Sequence, residues 1–242
     1  MSEDLVVNLN DVQALVEAAP TGATYAELHE AFVRSTRSDI AESLVRLAAN
    51  LRAGRYPAGR PYRHVNGFTK MVMVEHPSAR LTLHIWPAER GAPDDVSRPH
   101  DHRYAFSSIL LGGRQQFVEL EETVDVRLGE PWRSFEYRPY RKGLFAAVTP
   151  RGVITCREIA VAPRIPLAGH YTATSAIVHQ AITGRDETCV TLVMRGPRER
   201  RTSKVYYRPQ EPAPRGRLQF GRRVEHEEVM RQVDEAIAFV TT

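Results

Sequence analysis

The sequence predicts a mainly β protein, a double-sheet jelly roll or small closed barrel with a helical segment before it and one helix after it. Three observations predict this. Apolar residues recur at helical spacing only towards the two ends of the chain. Between those ends lie eight short runs rich in β-branched and aromatic residues, separated by Gly, Pro, Asp and Ser. No helical pattern intervenes between the runs, as a parallel sheet built from crossover helices would require.

The helical segment is placed at residues 1–55. A first helix is expected from about Asp11 to Ala18, closed by Pro20, which cannot continue the hydrogen-bond ladder, and Gly22, which tolerates chain reversal. Thr24 and Glu27 have the spacing of a capping box ahead of Leu28, Ala31, Phe32 and Val33. Asp39 and Glu42 stand in the same relation before Leu44, Val45, Leu47 and Leu51. Pro57, Gly59 and Pro61 mark a connector. The barrel is placed at 64–208, with strands expected at Thr69–Val74, Arg80–Trp86, Tyr104–Leu111, Arg114–Leu120, Gly143–Val148, Val153–Val161, His170–Gln180 and Cys189–Met194. Residues 209–242 read as an arginine- and proline-rich connector and a final helix from about Arg223 to Val240. That helix carries Val229, Met230, Val233, Ile237 and Val240 on one face.

Composition narrows the class. The chain has 242 residues, 42% hydrophobic and 26% charged, which excludes a disordered or collagen-like polymer and leaves a globular enzyme or binding domain. Two cysteines, Cys156 and Cys189, cannot build a disulfide framework or a thiolate metal cage. They read as buried strand residues in a reducing compartment. No basic stretch precedes an apolar core at the start, and no run approaches the ~20 apolar residues of a membrane span. A cytoplasmic protein with no membrane partner is expected. The net charge is +4, and between Arg195 and Arg223 ten basic residues face two acids, Glu199 and Glu211. Pro209, Pro212, Pro214 and Gly216 interrupt that stretch, so it reads as a solvated, extended loop and not as a nucleic-acid stripe. No nucleic-acid partner is expected, and the assembly is expected to be a monomer or homodimer.

The chemistry lies in the histidines. Arg98-Pro99-His100-Asp101-His102 precedes an apolar β run, and on an extended strand residues two apart share a face, so His100 and His102 can present their imidazoles to one point. A divalent metal needs a third ligand, and His179, set in a run of small and apolar residues, is the best candidate. The plainer alternatives stay open: a solvated His-x-His pair, and a buried histidine bonded to a backbone carbonyl. Tyr104, two residues beyond His102, either faces the same point or is a core aromatic. His170 lies an odd number of positions from His179 and reads as facing the opposite side, while His29, His64, His76 and His226 read as surface residues.

On these residues the sequence resembles the cupin superfamily. Its first motif, His-x-His followed by a glutamate and then a glycine, is matched at His100, His102 and Gly113, with Phe106 where the glutamate would stand. Its second is matched at His179, while Thr174, Ala176 and Thr183 occupy the proline, glycine and asparagine positions. Three histidines without the carboxylate are similar to the thiol dioxygenase branch, of which cysteine dioxygenase is the best known. Residues Phe68–Leu120 and Ser175–Pro197, about a third of the chain, resemble that branch's core blocks. The resemblance implies a cupin jelly-roll barrel with His100, His102 and His179 as metal ligands. It also implies Fe(II), or else Ni(II), with O2 as co-substrate. Lys70 stands where the branch has the arginine that clamps the substrate carboxylate, and a lysine is a point charge without the planar fork. His84 falls on a strand bordering the pocket, with its facing left open. Ser107 and Arg195 stand at the positions of a crosslinked cysteine and tyrosine, and Val193 replaces a histidine beside the metal. The branch's Ser-His-Tyr relay is therefore absent, while Arg195 offers a cation to the pocket.

The function so implied is a metal-dependent oxygenase oxidising a small thiol, such as L-cysteine or a close relative. The altered relay points to a specialised biosynthetic pathway with an unusual product, for example a sulfonamide. The alternatives are a cupin dioxygenase or isomerase of a non-thiol metabolite, and a non-catalytic metal-containing cupin that holds a small anion between Lys70 and Arg195. A 2-oxoglutarate oxygenase is disfavoured, because its metal triad carries a carboxylate where this chain has His102.

Overall fold

Two antiparallel sheets lie against each other, and the three helices bounded among the described residues cover the outside of one of them. The computed structural model describes residues 16–17, 19–20, 22–56, 58–64, 67–89, 95–140, 145–161, 169–212, 214, 218–220 and 222–241. In chain order the helices are α1 (Tyr25–Val33), α2 (Arg37–Arg52) and α3 (His226–Thr241). The strands are β1 (Tyr62–Arg63), β2 (Thr69–Glu75), β3 (Arg80–Trp86), β4 (Asp95–Val96), β5 (Phe106–Gly112), β6 (Gln115–Thr123) and β7 (Glu130–Tyr140). They continue with β8 (Phe145–Val161), β9 (His170–Ala173), β10 (Val178–Thr183), β11 (Cys189–Arg195), β12 (Ser203–Tyr207), β13 (Leu218–Phe220) and β14 (Arg222–Arg223). The helix-covered sheet has the order β14-β1-β2-β3-β11-β5-β9, and the other has β12-β7-β8-β6-β10-β4 with β13 added on β8. This is the mainly β, double-sheet architecture with flanking helices that the sequence predicts.

The first sheet is buried on both faces, which is why β5 is enclosed along its whole length. Met71, Leu81, Leu83, Ile85, Val190 and Leu192 turn outward and pack under Phe32, Leu44, Leu51, Val229 and Val233 of the helices. Each such side chain stabilises the fold by about 1.5–3 kcal/mol when fully buried. The contact is close: a Cβ on Gly112 would sit 2.4 Å from the Phe239 ring of α3. Gly113 then turns the chain from one sheet to the other at φ 78°, a left-handed conformation that glycine alone adopts freely. A side chain there would also meet the Thr188 carbonyl.

Several boundaries differ from expectation. The helix expected at 11–18 lies largely outside the described residues. The Thr24/Glu27 capping box is present, but the second box is Thr36 with Asp39, so α2 begins a turn earlier than the Asp39/Glu42 pairing implies. Aspartate serves in place of glutamate because its carboxylate still reaches the Thr36 amide, at 2.7 Å. The two strands expected at 143–148 and 153–161 are one, because Pro150 and Gly152 form a bulge opposite Ser134 and Phe135 and not a turn. Conversely, the single strand expected at 170–180 is two. β9 pairs with β5 in the first sheet, the chain crosses over at Ser175 and Ala176, and β10 pairs with β6 in the second. The parity argument that set His170 against His179 therefore does not apply. β7 escaped notice because prolines and charges dominate its sequence. The loop expected from 195 to 223 contains β12, which pairs with β7 along its length. The final helix starts at His226, since Arg223 belongs to β14. Among the described residues no helix is long and apolar enough to cross a membrane.

Candidate metal centre

His100 and His179 are direct cross-strand partners, each amide donating to the other's carbonyl at 2.9 Å. Residues 97–101 run between β10 and β12: the Ser97 amide bonds the Ala181 carbonyl at 2.9 Å, and the Tyr206 amide bonds the Pro99 carbonyl at 2.9 Å. Asp101 locks this segment. It is 4% exposed, its carboxylate accepts from the Lys204 amide at 2.6 Å, and it pairs with Arg200 at 3.1 Å. The same Arg200 guanidinium donates to the carbonyls of His102 and Ser175, tying the loop after His100 to the crossover before His179. Arg200 was not singled out from sequence. Its signal was hidden in a run of surface-like arginines, and only the fold shows that it holds three backbone segments at one point.

The side chains of His100, His102 and His179 converge. Their ligand nitrogens lie within 4.8 Å of one another, and the Nε2 atoms of His102 and His179 are 3.3 Å apart. The Nδ1 of His100 faces the Arg98 carbonyl at 2.8 Å, which leaves its Nε2 for the shared point. Burial lowers the His100 pKa against the opposing effect of that carbonyl. Burial and the neighbouring histidines push His102 and His179 well below the usual range. All three are therefore neutral at pH 7, the form that ligates metal. The Nδ1 of His179 is buried without a partner among the described residues, and Phe106 stands edge-on to His102 at 4.7 Å. Three neutral imidazoles around one point fit a divalent transition metal, and the cluster can hold one.

The cluster opens into a cavity of about 340 Å³. The sequence-predicted residues Lys70, His84, Tyr104, Phe106, Val193 and Arg195 all line it. His84 faces inward, opposite Lys70 on β2 and Thr191 on β11, and its Nε2 is buried without a partner among the described residues. Tyr104 lies nearly parallel to His102, at 5.5 Å and 27°, and the Arg195 guanidinium covers its ring at 4.6 Å. Burial acts to raise the Tyr104 pKa, but Lys70, Arg195, Arg103 and Arg80 outweigh it and hold the phenol below its ordinary value.

Ser107 is different. It points away from the cavity, to His29 Nε2 at 2.5 Å and Thr172 Oγ1 at 2.6 Å, because it alternates with Phe106 and Ser108 along β5. His29 is accordingly a contact between α1 and the barrel and not a free surface residue. His64 also departs from expectation. It stacks on Phe68 at 4.5 Å in the cavity wall, and burial, with the charges of Lys70 and His100, brings its pKa down to about 3. Its position at the end of a two-residue strand carried no periodic signal. Cys156 and Cys189 are buried thiols, with burial pushing each pKa up to about 12.

Among solved structures the chain is similar to KdgF from Halomonas sp., at 16% identity over 57% of this chain and 87% of that one, with a TM-score of 0.32. It is also similar to an RmlC-like cupin from Shewanella frigidimarina NCIMB 400, at 9% identity over 58% and 85%, with a TM-score of 0.32. A third is the polyketide cyclase RemF from Streptomyces resistomycificus, at 12% identity over 76% and 95%, with a TM-score of 0.35. No protein-family model matches the chain, and no curated protein matches it. Likenesses of this size carry no activity across, and the functional reading rests on the chain's own side chains.

Proposed function

We propose that this protein is a metal-dependent oxygenase that oxidises a small, acidic thiol with O2, using Fe(II) or Ni(II) held by His100, His102 and His179. The observation that supports it best is the cluster itself: three neutral imidazoles, His179 buried and His100 and His102 half-buried, with ligand nitrogens within 4.8 Å, opening on a cavity with cations in its wall. A divalent metal held there would supply acidity towards a thiol and redox chemistry towards O2. The chain's residues do the rest. Arg200 and Asp101 hold the ligand-bearing segments in register. Lys70 and Arg195 bind the substrate's acid group, Tyr104 holds its phenolic proton towards the bound ligand, and Phe106, Val193 and Trp86 keep water from the reacting end. Because Ser107 turns away and Val193 offers no proton, no Ser-His-Tyr relay assists, and the reading includes a product other than a sulfinate.

The test is O2 uptake by metal-stripped protein reloaded with Fe(II) or Ni(II) and offered L-cysteine and a panel of small thiols, with product mass read in parallel. Uptake that requires thiol and metal together is expected. Uptake independent of thiol, or none with any thiol, would overturn the reading.

A further inference from the structure

Six cationic side chains line the cavity, but only two carboxylates do, Asp95 and Asp101. Both carboxylates are already engaged. Asp101 is held by Arg200 and the Lys204 amide, and Asp95 pairs with Arg185 at 3.6 Å. Of the cations, Arg80 pairs with Glu75 and Arg98 with Glu211. Lys70, Arg103, Arg195 and Arg198 make no ion pair among the described residues. Lys70 is the telling one, because it is only 9% exposed. A lysine removed that far from water without an anion is costly, and a ligand that supplies the anion offsets the cost.

These cations sit at two levels. Arg80 is opposite Arg195 at one end of β3, and the Arg195 guanidinium lies over the Tyr104 ring at 4.6 Å. Four residues further along β3, His84 lies between Lys70 and Thr191. The two rows are therefore about 13 Å apart along the strand, a gap that long Arg and Lys side chains close from both ends. A ligand lying between the rows meets positive charge at each end. An ammonium group would meet the same charge with no free carboxylate to receive it.

We propose that the cavity takes a dianion, a small thiol bearing two acid groups, and rejects zwitterionic amino acids of similar size. This rests on the three-histidine cavity being the reaction site. The two acid groups take the place of the missing protein carboxylates, one at Lys70 and one at Arg195 and Arg103. The cavity volume suits a ligand of this size.

Calorimetric titration tests this without turnover, using metal-free and Fe(II)-loaded protein against mercaptosuccinate, succinate, 3-mercaptopropionate and L-cysteine. Mercaptosuccinate is expected to bind at least about tenfold more tightly than L-cysteine, with an affinity that falls as salt rises. Lys70→Met and Arg195→Met are each expected to weaken mercaptosuccinate about tenfold, whereas L-cysteine, with a single carboxylate, is expected to respond to only one of the two. L-cysteine binding as tightly as mercaptosuccinate in the native protein would overturn the proposal, and that comparison stands even if a variant fails to fold. Tight dianion binding without thiol-dependent O2 uptake would sink the oxygenase reading and leave this inference in place. Uptake with L-cysteine but not with mercaptosuccinate would do the reverse.

Discussion

The two faces of β11 are built for different purposes. Val190, Leu192 and Met194 turn towards the helices, each 0% exposed, in one continuous apolar core. Thr191, Val193 and Arg195, interleaved with them, turn to the cavity, where among the described residues Thr191 Oγ1 has no partner and Arg195 has no acid. One face is saturated with contacts and the other has its polar capacity unused. Folding selects the first, since close packing carries most of the stability. The second costs stability and is retained only if a ligand uses it.

Four changes break or sharpen this contrast. The largest effect belongs to His179→Ala, which removes a metal ligand from the cavity side. Metal content should fall to background and activity with it, while circular dichroism stays native. Leu192→Ala, in the other sheet and on its helix-facing side, should do the opposite. Chemical denaturation should show a loss of about 2–5 kcal/mol, with activity per folded molecule retained. If Leu192→Ala instead abolished activity without lowering stability, the separation of faces would be wrong. Arg200→Met acts between these extremes, since it frees the carbonyls of His102 and Ser175 without touching the ligands. Metal affinity should drop about 10–100-fold by competitive chelation. The smallest effect is that of pH on the metal-free protein. The folded pKa of His64 is lowered to about 3, below its unfolded value near 6.5, so the unfolded chain binds the extra proton first. Stability is full above that unfolded value and is lost as pH falls from there towards about 3. Thermal melts should show the decline, and His64→Phe should make it shallower, the remaining slope coming from His84, His100, His102 and His179, whose pKa values are also lowered.

Much of the site was legible because its signals are local. His100 and His102 are two residues apart, and any extended backbone brings such a pair to one side. The structure achieves this with an isolated bridge at His100 and a bend after it, not a regular strand. His179 stood out as an imidazole in an apolar run. What stayed hidden was of two kinds. Arg200 and Asp101 act through backbone carbonyls and amides of distant segments, which no spacing encodes. Ser107 was assigned to the pocket by position along the chain, but the register of β5 against β9 puts its hydroxyl on Thr172 and His29. Facing is decided by register, and a shift of one residue reverses it.

By itself the sequence determined the class of the molecule. Helical periodicity at the ends, strand-sized runs between them, the Thr24/Glu27 cap and the His100/His102 spacing are all properties of short windows, governed by backbone geometry and capping chemistry. Only the tertiary structure decided that residues 170–183 cross between sheets, that β12 emerges from an arginine-rich stretch, and that His64 and His84 join the cavity wall. Those outcomes depend on which strands pair and on burial shared between residues far apart in the chain, and the free energy of such pairing belongs to the assembled core, not to any segment of it.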